Sequence, residues 1–150
     1  MQKITLAALV LVLASTTLAA VAQQPKPEDE IKLRRSAYTL MGYNFSSLSA
    51  MAQEKKPYNK DEAVRNADFV ALLSTVPKTF FGEGSDKGET RAKPGIWSNK
   101  ADFDKKMENM TSETAKLPQV ARSGDLAALK KQVAETNSAC KACHDEYRAK

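Results

Sequence analysis

The sequence of 150 residues is poor in the side chains that build most reactive centres, with one histidine and two cysteines. A single histidine excludes any site that needs two imidazoles. With no paired catalytic carboxylates either, conventional acid–base turnover has no support. One histidine and two cysteines also leave no companion cluster to close a tetrahedral zinc site. Glycine is sparse, and none of the six glycines forms a phosphate-cradling loop. No internal repeat and no convincing β-strand pattern is present. The longest apolar run, Leu6 to Ala14, falls well short of the ~20 residues needed to span a bilayer. Nor is there a strong excess of one sign: the net charge is +5, and basic residues are spread among acidic ones on every segment. Nucleic-acid binding therefore has little support despite the basic pI.

The apolar residues that are present are unevenly placed. They make up 42% of the chain, and sixteen of them fall in the first 22 positions. That stretch has Lys3, then the Leu6–Ala14 run, then an A-x-A end at Ala20-Val21-Ala22, which reads as a secretory signal peptide. Cleavage after Ala22 starts the mature chain at Gln23 and lowers the net charge to +4. The protein is then expected in the periplasm, with no membrane attachment after cleavage. Residues 23–150 have the length and the mixed charge of one globular domain.

Four stretches of that domain carry apolar residues at helical spacing. The first starts at Pro27, followed by Glu28, Asp29 and Glu30, which complement the helix dipole. Its seam reads Ile31, Arg34, Tyr38, Met41, Phe45, Leu48, Ala52. The second opens on Asn59-Lys60-Asp61-Glu62, a capping-box pattern, and carries Ala63, Ala67, Val70 and Leu73 up to Pro77. Ser98 or Asn99 caps a third with Phe103, Met107, Met110, Thr114, Leu117 and Ala121, expected to be kinked or interrupted at Pro118. Gly124 ends it and Asp125 caps the fourth, whose face is Leu126, Leu129, Val133, Thr136, Cys140, Cys143 and Tyr147. An all-α, antiparallel up-down-up-down four-helix bundle follows. The long connection from Val76 to Trp97 holds four of the six glycines. Its Phe80, Phe81 and Trp97 are expected to pack on one end of the bundle; a catalytic lid is the other reading.

The chemistry sits in Cys140-Lys141-Ala142-Cys143-His144, the C-x-x-C-H pattern of covalent c-type haem attachment. Thiols at i and i+3 share a helical face, so both can form thioethers to one porphyrin edge. His144 then supplies the proximal imidazole. A structural disulfide at i and i+3 on one helix has poor geometry. A thioredoxin-like dithiol needs a strand-to-helix setting that is missing here. Since no second histidine exists, the other face of the iron cannot be capped by imidazole.

With these residues in view, the chain resembles cytochrome c', a class II c-type cytochrome, over essentially the whole mature sequence. The matching motifs are Lys26-Pro27-Glu28-Asp29 with Arg34, Ser36 and Met41, then Ile96-Trp97-Ser98, then Cys140 to Arg148. Cytochromes c' are themselves a standard example of the up-down-up-down bundle. The resemblance implies haem c attached through Cys140 and Cys143, and a five-coordinate, high-spin iron with His144 as its protein ligand. It places Tyr38 over the open face, puts Arg34 on a haem propionate and Arg148 on the proximal side, and suggests a homodimer through the first two helices. The outer helix positions, however, read as polar.

Each of these residues has a plainer reading. Tyr38 is otherwise a core tyrosine whose hydroxyl needs a partner. Arg34 interrupts an apolar seam and needs an anion unless it snorkels to solvent. Arg148 is otherwise a charge favourable to the helix dipole. Met41 is the rival as sixth ligand, because Met/His ligation makes low-spin electron carriers; otherwise it packs, as Met51, Met107 and Met110 are expected to do. Two functions result: a gas-binding haem protein for nitric oxide or carbon monoxide that also exchanges electrons with an unidentified redox partner, or a low-spin electron carrier using Met41.

Overall fold

The computed structural model describes residues 25–150. The segment read as an export signal, 1–22, lies outside the described residues. Five helices follow: α1 (Pro27–Ala52), α2 (Lys60–Ser74), a short α3 (Gly95–Ser98), α4 (Lys100–Ser123) and α5 (Leu126–Tyr147). The four long ones pack in a closed ring, α1 on α2, α2 on α4, α4 on α5 and α5 back on α1, which is the antiparallel four-helix bundle. Among the described residues no helix is long and apolar enough to cross a membrane.

Local chemistry sets the helix ends. Pro27 stands in the first turn of α1 with three acidic residues around the helix N-terminus. The Asn59 side chain accepts from Glu62 N at 2.9 Å. Glu62 does not return the bond; its carboxylate takes Ser47 Oγ at 2.9 Å and Lys56, tying α2 to α1 and to the turn between them. Asp125 accepts from the amides of Ala127 and Ala128. Gly124 before it has φ 76°, the left-handed conformation that closes α4 without strain.

One expectation for α4 is corrected, and one of the two outcomes expected at Pro118 does not occur. Neither Ser98 nor Asn99 caps it with a side chain: Ser98 ends α3, and Asn99 is the N-cap without a side-chain bond. The helix also runs through Pro118 without a break. Proline there removes one backbone bond, but Leu117 and Ala121 on either side are fully buried and hold the turn. An interior proline costs ~3 kcal/mol, which the burial of Leu117, about 1.5–3 kcal/mol, offsets together with that of Ala121.

The core holds Leu48, Met51, Val70, Met107, Leu117 and Leu129. Met51, not Ala52, occupies the buried end of α1. On α2 the buried position is Ser74, whose Oγ pairs with the Thr114 hydroxyl at 2.8 Å, while Leu73 is only half-buried. Of the connection's aromatics, Phe81 and Trp97 pack against the core, with Phe81 edge-on to Phe103 at 4.9 Å. The polar reading of the outer positions fails on α1 and α2. Leu33, Leu40, Tyr43, Phe69 and Leu72 are all exposed there, Tyr43 to 78%.

Candidate functional site

Burial of Leu129, Val133, Thr136 and Ala139 fixes which side of α5 faces inward. One turn further on, that side carries Cys140 and Cys143, both free thiols and both half-buried. His144 follows on the exposed end of the helix. All three border a cavity of about 970 Å³, near the top of the ~300–1,000 Å³ range of ligand pockets. Its other walls come from α1 (Tyr38, Met41, Phe45), α4 (Phe103, Met107, Met110) and the long connection (Phe81, Thr90, Arg91, Ala92, Ile96). Arg34 and Arg148 border it as well, so every candidate residue read from the sequence meets at one cavity.

Burial dominates the electrostatics. It pushes the Cys140 thiol up, and with the neighbouring Cys140 it pushes Cys143 up to about 11. Both shifts run opposite to the lowering that activates a thioredoxin-like thiol. Burial also lowers the His144 imidazole, Asp145 beside it raises it, and Arg91 lowers it further. The Tyr38 phenol is raised, again chiefly by burial and then by Cys143. Its hydroxyl lies 3.6 Å from Met107 Sδ, so the ring reaches from α1 to α4 and ends on a weak acceptor.

Arg34 differs from its expected surroundings. The guanidinium is 2% exposed, and its partners are neutral oxygens of the connection. Nη1 donates to Phe80 O at 2.9 Å and Ser85 Oγ at 2.7 Å, and Nη2 to Ser85 O at 2.5 Å and Thr90 Oγ1 at 2.9 Å. Four hydrogen bonds and the Phe81 ring face at 4.6 Å stabilise the charge, and the Glu30 carboxylate one turn back adds coulombic support. Arg148 is exposed; its backbone N donates to His144 O at 3.1 Å.

A family model described as Cytochrome C' matches residues 29–148. The cytochrome c' of Rubrivivax gelatinosus is 42% identical over 129 residues, covering 85% of this chain and 100% of the relative. The chain belongs to the cytochrome c' family. Among solved structures, cytochrome c prime from Shewanella frigidimarina superposes with a TM-score of 0.82 at 41% identity, over 85% of this chain and 100% of that one. The nitric oxide complex of a mutant cytochrome c prime from Alcaligenes xylosoxidans gives 0.78 at 36%, over 85% and 99%.

A cytochrome c' carries haem c, and the residues here fit that group. Two thiols one turn apart and an imidazole beside them open on a cavity whose apolar walls include Met41, Met107, Met110 and the rings of Tyr38, Phe81 and Phe103, with Arg34, Arg91 and Arg148 also bordering it. Cys140, Cys143 and His144 would hold the haem, which would supply a redox-active iron able to take ligands. The cytochrome c' motif was legible in the sequence; the connection's share of the cavity was not. Thr90, Arg91 and Ala92 reach it because Ala92 pairs antiparallel with Arg148, the isolated bridge of the fold. Lys93 N donates to Tyr147 O at 3.0 Å and Ala149 N to Arg91 O at 2.8 Å. No local spacing signals this, since residues more than 50 positions apart make the join.

Proposed function

We propose that this cytochrome c' is an exported, periplasmic haem protein, attached through Cys140 and Cys143, whose iron has His144 as its protein ligand and an open sixth position. That position binds nitric oxide or carbon monoxide, and the iron also exchanges electrons with a redox partner. The observation that carries this reading is the path of Tyr38. Its ring crosses from α1 to Met107 on α4 and walls the cavity with an aromatic face whose hydroxyl is already engaged. With one histidine in the chain, no second imidazole competes. Apolar walls favour neutral diatomics over anions. The relative from Alcaligenes xylosoxidans, solved as a nitric oxide complex, supports the same ligand class.

Met41 borders the same cavity, which keeps the low-spin reading specific. Absorption and magnetic spectra of the purified protein in both oxidation states separate the two. High-spin bands that survive Met41→Leu are expected, and a low-spin spectrum that Met41→Leu converts to high-spin assigns the sixth position to Met41. The exposed Leu33, Leu40, Tyr43, Phe69 and Leu72 on α1 and α2 support a homodimer through those helices. Sedimentation should find a dimer that Leu40→Glu with Phe69→Lys converts to monomer.

A further inference from the structure

The connection between residues 80 and 90 has little backbone pairing of its own. Its internal turns are Ser85 N to Gly82 O at 3.3 Å, Lys87 N to Gly84 O at 3.4 Å and Thr90 N to Gly88 O at 2.7 Å. Two of its glycines, Gly84 and Gly88, have positive φ. Such a segment takes its shape from what it is fastened to. Trp97 Nε1 donates to Phe81 O at 3.0 Å and Gly82 O at 3.1 Å, Arg35 donates to Glu89 O at 2.7 Å, and two buried charges one turn apart on α1 add the rest of the fastening. Glu30, 5% exposed, accepts from Gly82 N at 2.7 Å, and Arg34 binds Phe80, Ser85 and Thr90 through the four bonds described above. A side chain at Gly82 would collide with Glu30, since a Cβ there lies 2.6 Å from Oε1. The planar guanidinium spans three points along the segment at once, which an ammonium cannot do.

The chain of contacts continues beyond the connection. Thr90 Oγ1, held by Arg34, also accepts from Ala92 N at 3.1 Å. Ala92 is the residue that pairs with Arg148, and its neighbours Arg91 and Lys93 make the two backbone bonds to Ala149 and Tyr147. Arg148 N in turn donates to His144 O. Hydrogen bonds linked by single peptide units thus join the guanidinium to the helix end that carries the imidazole.

We infer that Arg34 is a positioning residue: acting through Thr90, it fixes the Arg91–Lys93 segment against the residues after His144 and so sets the haem cavity wall on that side. The inference rests on the haem reading of the cavity but not on the coordination number of the iron. It also explains why a buried arginine is retained where an apolar residue would continue the seam: the charge organises a segment that has no core of its own.

The test uses the holoprotein with Thr90→Val, Thr90→Ser and Arg34→Lys, measured by amide hydrogen exchange and by the reduction potential and absorption spectrum of the haem. Thr90→Val leaves the partners of the Lys93 and Ala149 amides intact, so any change there is transmitted. Exchange at both should speed up about tenfold, the effect of one hydrogen bond of ordinary net strength, with a shift in potential. Thr90→Ser, which restores the oxygen, should return both readouts to wild type. Arg34→Lys should reproduce the loss and add Gly82 and Ser85; should it fail to fold, the Thr90 pair decides alone. Unchanged exchange at Lys93 and Ala149 overturns the inference, and so does faster exchange with an unmoved potential and spectrum. A shifted potential in Arg34→Lys with Thr90→Val silent overturns it in favour of direct contact with the haem. A low-spin wild-type spectrum overturns the proposed function alone, because the exchange readout does not depend on it.

Discussion

Replacing Tyr38 by alanine separates a ring that walls the cavity from one that merely packs. Aromatic-to-alanine changes in closed cores cost about 3–5 kcal/mol. Tyr38 is only partly buried and already borders the 970 Å³ cavity, so little new void is enclosed. Its loss should cost about 2–3 kcal/mol, read as a lower urea midpoint of the holoprotein. Tyr38→Phe removes only the hydroxyl's contact with Met107 Sδ, long at 3.6 Å, and should cost below about 0.5 kcal/mol. The kinetic consequence is sharper. If an incoming ligand must displace the ring, Tyr38→Ala should raise the carbon monoxide association rate about tenfold for each ~1.4 kcal/mol of displacement removed, whereas Tyr38→Phe should leave it within about twofold. Flash photolysis or stopped flow measures both. An unchanged rate in Tyr38→Ala refutes the wall assignment; an equal acceleration in Tyr38→Phe shows that the hydroxyl, not the ring, is the barrier.

Replacing both Cys140 and Cys143 by alanine should abolish haem that resists acid extraction while circular dichroism still reports helix; covalently retained haem would overturn the attachment. Gly82→Ala should destabilise the protein by about 1–3 kcal/mol in urea unfolding, because the new methyl meets a buried carboxylate that has little room to move. The Asp102 carboxyl is held below the usual carboxylate range chiefly by the hydroxyl of Tyr147, which donates to it at 2.6 Å. A depressed folded pKa contributes stability that is present above the unfolded value of about 4 and lost as pH falls through the folded one. Melting temperatures should therefore fall on that acid limb, and Asp102→Asn should flatten it; an identical limb in the variant removes Asp102 from the account.

The four long helices were legible because their information is local. Asn59, Asp125 and Gly124 act within a few residues, and the 3.6-residue period of Leu129, Val133 and Thr136 carries Cys140 and Cys143 onto the inner face. Pro118 misleads as an interruption because its cost is local while the burial of Leu117 and Ala121 that offsets it is tertiary. The partners of Arg34 were illegible for a related reason. They lie 46 to 56 residues away and are mostly backbone carbonyls and small hydroxyls, which leave no trace in charge or hydropathy patterns. The apolar outer faces of α1 and α2 are a further case. Leu40, Tyr43, Phe69 and Leu72 are scattered in sequence, and only the pairing of the two helices brings them onto adjoining elements.

The antiparallel join of Ala92 to Arg148 is made chiefly by main-chain atoms, and that determines which changes it tolerates. The bonds of the join belong to the peptide units, and the Lys93 ammonium adds one side-chain bond across it, to Asp145 O at 3.1 Å. Proline is not tolerated at 93 and at 149, where an N–H is indispensable. Chain length matters more than composition: removing only the last two residues deletes the Ala149 amide and leaves the Arg91 carbonyl without its partner. Residues 147–149 of this small cytochrome thus act as a structural strut.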